Sequence, residues 1–562
     1  LIVLGINSFF EHPAVALTID GELVFAIEEE RLTRIKHGKK YTPYKTYVPH
    51  ESIGAALRFA NLRSDDVDEI AYSYHPWKHL VATLGCATGT RLSSFREELA
   101  AFINLLNVKQ ALCSTHERPH QYADIAPFNA ARTKFRSWDH HLSHAASAFY
   151  CSGFDEALVV VADGSGERAC TSVYIGRGNK LRALSRTALP HSLGFFYSFI
   201  TGHLGFEPFS DEYKVMGLAA YGEARYANAL SQALRCTPNG RYRVDIRRLQ
   251  DLEPILGRKR TPNEPVEQRH MDIARSAQSL LEQALQDLVS HHLQRTGLRK
   301  LCTAGGVFLN CVANGRLSRL PSLDEYFVQP AAHDAGTAIG AAALSSIRLG
   351  GPAQLRYRSM FLGTAYDDDR IVRALDDARV RYMRLSPDTL APTLARLLAN
   401  ESVVALFRGR MEFGPRALGA RSLLASPRCA ATREKLNVIK GREQFRPLAP
   451  LVREEDYDRC FEGPANRYMM FAVKARPHTV QCAPAVVHAD GTARAQIVRS
   501  SEDPFLHETL THFHAATGVP LLINTSLNVR GKPIDESPVD ALCSFLTSGA
   551  DALLIGSYLV ER

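Results

Sequence analysis

The first thirty residues alternate short apolar runs with turn formers: residues 1–6, a polar loop over 7–12, an apolar run at 14–19, the turn Asp20-Gly21, and a third run at 23–27. Runs of this length bounded by turn residues predict three strands joined as a meander. The pattern returns at 157–162, followed by the loop Asp163-Gly164-Ser165-Gly166-Glu167, a run at 170–175, a turn at 176–179, and a third run from 181 onward. Further along, Ile273, Ala277, Leu280, Leu281, Ala284 and Leu288 recur at helical spacing up to Gly297, which predicts an amphipathic helix stopped by glycine. A strand near Leu301 then meets Ala304-Gly305-Gly306, with a helix predicted over 308–317, a strand at 326–329 and a small-residue helix over 336–347.

Two halves that each open with strand, polar or Gly-rich loop and strand are the mark of the duplicated α/β domain of actin and the sugar kinases, which holds a nucleotide between its halves. The boundary is placed near Gly350-Gly351-Pro352, dividing the chain into domains 1–350 and 353–562. Beyond it, a helix over 390–399, a strand over 403–407 and a dense run of Arg and Lys predict a separate α/β unit. Residues 75–133 lack clear periodicity and read as an insertion.

Composition narrows this picture. A 562-residue chain that is 45% hydrophobic buries sizeable cores, which favours two or more globular domains. The formal charge of +8 and pI near 8.9 are scattered along the chain, and so fit anionic small substrates better than a nucleic-acid stripe. Eleven cysteines occur singly, with no C-x-x-C pair, which reads as reduced thiols in a cytoplasmic setting. No apolar run approaches the roughly 18 residues of a membrane span, and the start at Leu1 without a charged leader reads as light trimming.

The candidate chemistry begins with His140 and His144, spaced i, i+4 so that a helix points both imidazoles from one face. Such a pair is also common as packed or surface histidines. Asp163 opens a Gly-rich loop after one predicted strand, and Asp334 precedes the small-residue helix after another. Converging, the four make a two-His, two-Asp set that suits Fe(II), Zn or Mn better than Ca or Mg; otherwise Asp163 caps a turn and Asp334 a helix. Downstream, Arg408, Arg410, Arg416, Arg421, Lys440, Arg442 and Arg446 are interleaved with Gly409, Gly414, Pro415 and Gly419. Arginines on loop-forming backbone suit bidentate phosphate recognition better than a solvated helix face does.

The sequence resembles the O-carbamoyltransferases of antibiotic biosynthesis and nodulation-factor modification. Their first domain resembles a metal-binding tRNA threonylcarbamoyl transferase, and their second resembles threonylcarbamoyl-AMP synthase. The resemblance rests on Glu28-Glu29-Glu30-Arg31, His140 to His144, Asp163 to Glu167, Lys214-Val215-Met216-Gly217, Gly305-Gly306-Val307-Phe308-Leu309-Asn310, Gly414-Pro415-Arg416-Ala417-Leu418, Arg446-Pro447 and Asn524 to Asn528. It implies that His140, His144, Asp163 and Asp334 bind a metal, Fe(II) foremost with Zn or Mn as alternatives. It implies a nucleotide beside it, contacted by Lys36, Lys214, Gly305, Gly306 and Asn310, and a catalytic role for His12, otherwise a loop histidine before Pro13. It implies that Arg416, Lys440, Arg446, Arg494, Asn524, Ser526 and Asn528 bind carbamoyl phosphate and ATP with Mg, Arg446 being catalytic. The sequence departs from the family pattern at Ala420, Gly441 and Lys532.

The implied reaction forms carbamoyl-AMP in the second domain and transfers the carbamoyl group, at the metal, to a hydroxyl, with an amine as the second choice, of a small natural-product acceptor. Excluding water protects that hydrolysable adenylate. Rival readings are a tRNA threonylcarbamoyladenosine-type enzyme, an actin-fold small-molecule kinase that would release ADP, and a non-catalytic nucleotide switch. Neither nucleic acid nor membrane is expected as a partner, and a homodimer is the default assembly. Acceptor selectivity is assigned to the irregular stretches 75–133 and 223–268.

Overall fold

The computed structural model describes residues 1–8, 11–38, 47–78, 103, 107–113 and 126–562, so most of the predicted insertion lies outside the described residues. Strands β1 (Ile2–Asn7), β2 (Ala14–Ile19) and β3 (Glu22–Glu28) form the first meander, and β4 (Glu69–Tyr72) and β5 (Lys134–Ser137) extend it in the order β3-β2-β1-β4-β5. The second meander is β6 (Glu156–Ala162), β7 (Ala169–Arg177) and β8 (Lys180–Ala188). A hairpin of β9 (Leu234–Thr237) and β10 (Arg241–Val244) follows, and then β11 (Lys300–Ala304) and β12 (Glu325–Val328). The second sheet runs β8-β7-β6-β11-β12.

The two sheets therefore share one topology: an antiparallel meander whose first strand pairs in parallel with the fourth, and the fourth in parallel with the fifth. This is the duplicated actin-like α/β arrangement expected from the repeated meander. Each half sends a helix from its fifth strand, His140–Ser152 in one and Gly336–Arg348 in the other. Both present small residues, Ala145, Ala146 and Ala148 against Ala338, Ala341 and Ala342, all fully buried. Gly340 lies so close to the first helix that a Cβ there would meet the Ser143 carbonyl oxygen at 1.7 Å, and one on Gly5 would meet the Ala338 oxygen at 2.0 Å. Small side chains let the helices approach and bring their N-terminal ends together.

Residues 355–362 run along the first sheet: Leu23 donates its N–H to the Arg356 oxygen (2.9 Å) and Ala26 to the Leu362 oxygen (3.1 Å). The C-terminal domain that follows is a mixed α/β unit. Its main sheet contains β13 (Met383–Arg384), β14 (Val404–Phe407), β15 (Arg421–Ala425), β16 (Ala449–Arg453), β20 (Gln496–Val498), β21 (Leu521–Ser526), β22 (Ala552–Ile555) and β23 (Tyr558–Glu561). They run in the order β13-β23-β22-β14-β15-β21-β16-β20. A small second sheet joins β17 (Phe461–Glu462), β18 (Val473–Ala475) and β19 (Thr492–Ala493). Among the described residues no helix is long and apolar enough to cross a membrane.

Candidate functional site

Asp139 caps the His140–Ser152 helix by accepting the Leu142 N–H (3.0 Å). This fixes the first turn, from which His140 and His144 project, their rings edge to face with centroids 4.7 Å apart. Asp163 lies at the end of β6, and Asp334 lies just ahead of the equivalent helix of the second half. The Nε2 atoms of both histidines lie 3.4 Å from Asp163 Oδ2 and 3.6 Å from Asp334 Oδ1. A tetrahedral ion with bonds of ~2.1 Å separates its ligand atoms by ~3.4 Å, so the four side chains fit a cation. His144 gives a second argument, because both its ring nitrogens are fully buried and neither has a hydrogen-bond partner.

The electrostatics agree. Burial disfavours a charged His140, but its hydrogen bonds to Asp163 and Asp334 outweigh this and lift its pKa well above the ordinary imidazole value. Asp163, despite its own burial, is held well below the carboxylate range by His140 and His144. Two buried carboxylates thus demand a positive charge, which a metal supplies by displacing the proton. His140 Nδ1 faces the Ser73 oxygen at 3.3 Å, leaving Nε2 turned toward the cluster.

His12 lies next to this cluster, in a left-handed backbone conformation (φ 52°) at the end of the loop after β1. Its ring is wedged edge to face between His333 (centroids 4.5 Å) and His37 (5.0 Å). His333 precedes Asp334, and its Nε2 is 3.6 Å from Glu28 Oε1. His12 Nε2 meets His37 Nδ1 at 3.4 Å, while His12 Nδ1 is buried without a partner. Burial, reinforced by the neighbouring His333, holds the His12 pKa well below its ordinary value, so the ring is a neutral proton acceptor. His333 and His37 are neighbours that sequence reasoning missed, while Glu28 was singled out there only as part of a family motif, without a role. His333 had one signal, its place beside Asp334; His37 is a single loop histidine with none.

The expected nucleotide contacts are placed differently from one another. Gly305, at φ 98°, packs against the Ala162 backbone, and the Gly306 N–H donates to Asp163 Oδ1 (3.2 Å). Their lack of side chains therefore lets the second-half turn seat the metal-site loop. The Asn310 side chain caps the next helix through the Ala313 N–H (3.0 Å) and exchanges hydrogen bonds with Gln278. Lys214 is ion-paired with Asp211 (2.9 Å) and, across the domain boundary, with Glu443 (3.1 Å). Lys36 is exposed, with Nζ 3.4 Å from Ser210 Oγ.

In the C-terminal domain, Arg408, Arg410 and Arg421 are taken up structurally. Arg408 pairs with Asp503, Arg410 donates to the carbonyls of Val24 and Gly363, and Arg421 stacks on Phe407 and donates to the Arg408 oxygen. Arg416, Lys440, Arg442, Arg446 and Arg494 form a different group. Burial, followed by repulsion from Arg494, brings the Arg416 pKa down to about 9, and burial with Arg446 and Arg494 does the same to Arg442. Lys440, also buried, donates to Ser526 Oγ (3.1 Å) and Asn528 Oδ1 (2.5 Å), which fixes these three expected contacts in one cluster. Asn524 donates to Ala417 and Gln496, and its Oδ1 is buried without a partner, as are Nε of Arg416 and Nε of Arg494. Mutually repelling buried cations with unmatched donors are the signature of an anion pocket. Arg446 lies over the Tyr213 ring at 4.6 Å, so the pocket abuts the first domain, and a small cavity of about 30 Å³ at this boundary is lined by residues of both domains, Gln278 and Arg494 among them.

Residues 2–343 match the family described as Carbamoyltransferase N-terminus, and residues 395–562 match that described as Carbamoyltransferase C-terminus. The nodulation protein NolNO of Sinorhizobium fredii is 37% identical over 99% of this chain and 80% of its own. The 3'-hydroxymethylcephem-O-carbamoyltransferase of Amycolatopsis lactamdurans is 31% identical over 77% of this chain and 82% of its own. Among solved structures, full-length HypF in its phosphate- and nucleotide-bound form aligns over 63% of this chain and 56% of that chain, at 14% identity and a TM-score of 0.38.

Proposed function

The chain belongs to the carbamoyltransferase family, and from that premise we propose that it is an ATP-dependent O-carbamoyltransferase with two sites, one that forms carbamoyl-AMP and one that transfers its carbamoyl group to the hydroxyl of a small-molecule acceptor. The observation that carries this reading is the pairing of a two-His, two-Asp cluster beside a buried neutral histidine with a separate pocket of unmatched cations.

In the C-terminal pocket, Arg416, Lys440, Arg442, Arg446 and Arg494 offset the charge of carbamoyl phosphate and ATP and hold them in reacting position. One water is consumed as carbamoyl phosphate loses phosphate; the remaining carbamate oxygen bonds the α-phosphorus of ATP and pyrophosphate leaves. At the transfer site, His12 Nδ1 takes the proton of the acceptor hydroxyl, the hydroxyl oxygen bonds the carbamoyl carbon, and the bond to AMP breaks. A metal ion held by His140, His144, Asp163 and Asp334, Fe(II) in our reading, supplies Lewis-acid stabilisation of the developing charge. His37 and His333 hold the His12 ring from both sides. We place the reaction in the cytoplasm, with neither nucleic acid nor a membrane as partner.

The test is to incubate the protein with ATP, Mg and carbamoyl phosphate and quantify AMP, pyrophosphate and ADP. Carbamoyl phosphate-dependent AMP and pyrophosphate are expected, and Arg446→Ala should abolish both. Release of ADP alone, or indifference to carbamoyl phosphate, overturns the reading in favour of an actin-fold kinase.

A further inference from the structure

A second set of ligand-type side chains surrounds the base. His12, Glu28 and His333 can each offer one nitrogen or oxygen such that the three atoms lie within 4.8 Å of one another. The Glu28 and His333 side chains are 1% and 6% exposed, with His333 Nε2 3.6 Å from Glu28 Oε1. The nitrogens here are idle: both of His333 and Nδ1 of His12 are buried without a hydrogen-bond partner, while His12 Nε2 is engaged with His37. Buried polar atoms left unmatched in this number call for an occupant that satisfies them together.

The charge balance points to a cation. Arg31 Nη2 is 3.1 Å from Glu28 Oε2 and its Nη1 is 2.8 Å from Glu30 Oε1, so two carboxylates share one guanidinium. Glu28 Oε1 accepts the Gly414 N–H (3.1 Å), and a carboxylate oxygen has a second lone pair to give. Two imidazoles and one carboxylate form a zinc-type set that leaves the fourth position to water. Mg and Ca prefer oxygen ligands alone. This site is looser than the first. The two-His, two-Asp cluster already has its facing atoms 3.4 and 3.6 Å apart, near the tetrahedral spacing, whereas a spread of up to 4.8 Å must contract around an ion. His333 is also followed directly by the first-cluster residue Asp334, so an ion in each site would repel the other.

We propose that His12, Glu28 and His333 form a second, weaker divalent-cation site, selective for zinc-like ions, that silences the base when filled. The ion bonds to His12 Nδ1 through the lone pair that otherwise accepts the acceptor's proton, so proton removal stops until the ion leaves. The proposal rests on the transfer-site reading above and adds to it a means of regulation: the first ion serves transfer, and the second, bound at higher concentration, blocks it. The anion pocket of the C-terminal domain shares none of these ligands, so adenylate formation continues.

Equilibrium dialysis of the full-length protein against increasing zinc chloride, with bound metal counted by elemental analysis, tests this. The wild type is expected to take two zinc ions per chain in separate steps. His333→Asn, which keeps the size and polarity of the side chain, and His12→Ala should each weaken the second step at least ~10-fold, a loss typical even of residues that only orient a metal's ligands, and leave the first within ~2-fold. His144→Ala should weaken the first step and keep the second. A wild type that saturates at one zinc, or a second zinc that is indifferent to both His333→Asn and His12→Ala and so belongs to the surface, overturns the proposal. A second zinc lost with His333→Asn and kept by His12→Ala also overturns it, since the base would then stay free. Circular dichroism of each variant checks that it is folded. Pyrophosphate release dependent on carbamoyl phosphate is read in parallel on the wild type: its absence defeats the underlying reaction, while the zinc counts decide the second site separately.

Discussion

Single side chains carry the division of labour proposed for the two sites. His144 Nε2 sits between two carboxylates and has no hydrogen bond, so its replacement removes a metal-facing nitrogen without breaking a hydrogen bond. His144→Ala is expected to lose bound metal, measured by elemental analysis, and acceptor carbamoylation, while keeping pyrophosphate release; full transfer without metal would refute the assignment. His12→Ala should lower transfer by ~10²–10⁴-fold, the range of a general base, with pyrophosphate release unchanged. Burial disfavours the charged forms of His12 and His37, the latter brought down to about 4. The sign follows: both rings stay neutral as pH falls past ~6.5, where a free imidazole protonates. With metal saturating, transfer should therefore hold its rate through that range and decline only at lower pH. A half-maximal rate near 6.5 would show an ordinary, exposed base. His140 and His144 were legible in the sequence because helical geometry converts a spacing of four into proximity. His333 and His37 reach His12 from positions 321 and 25 residues away in the numbering, and no local spacing encodes that.

At the level of elements, close approach of the two small-residue helices sets the geometry of the two-His, two-Asp cluster proposed to hold the metal. Gly340→Ala forces a methyl into the Ser143 carbonyl, and Ser143 lies between the two histidine ligands. Such overpacking costs about 1–3 kcal/mol, so the variant should melt earlier and also bind metal more weakly; a lower melting temperature with unchanged metal affinity would separate the two effects. The meanders were legible because runs of five or six mostly apolar positions closed by Asp-Gly or polar loops leave little alternative, and the expected runs at 1–6, 14–19 and 23–27 appear as β1, β2 and β3. The helix expected over 308–317 is instead a 3₁₀ turn, Gly306–Leu309, and a separate helix, Cys311–Leu317. Asn310 interrupts it by turning its side chain to cap the second piece. The stretch 223–268 contains the β9–β10 hairpin and the short helices Ile246–Asp251 and Glu253–Leu256. Four-residue strands are too short for their periodicity to stand out from loop composition.

Across the whole molecule, the boundary between the domains is fixed by polar bonds reaching from the first forty residues to the last third of the chain. Glu28 accepts the Gly414 N–H (3.1 Å), Arg31 donates to the Gly414 oxygen (2.9 Å), and Arg34 donates to the Ile534 oxygen (2.7 Å) and pairs with Asp535 (2.8 Å) and Asp540 (3.1 Å). Asp535 is almost wholly buried, and burial pushes its pKa up to about 7 even beside Arg34, so Arg34→Ala leaves a protonated carboxyl without its partner and costs about 1–3 kcal/mol. Calorimetry is expected to give one unfolding step for the parent and two for the variant; a single unshifted transition would mean the domains do not depend on this contact. The Glu28–Gly414 bond also has a consequence for how the protein is made. Its partners are 386 residues apart, and at ~5–20 residues per second a ribosome needs roughly 20–80 seconds to deliver the second after the first. During that interval the newly folded end of β3 holds Glu28, Arg31 and Arg34 without the groups that later satisfy them, so the nascent chain depends on water or a chaperone to shield that edge until translation is almost complete.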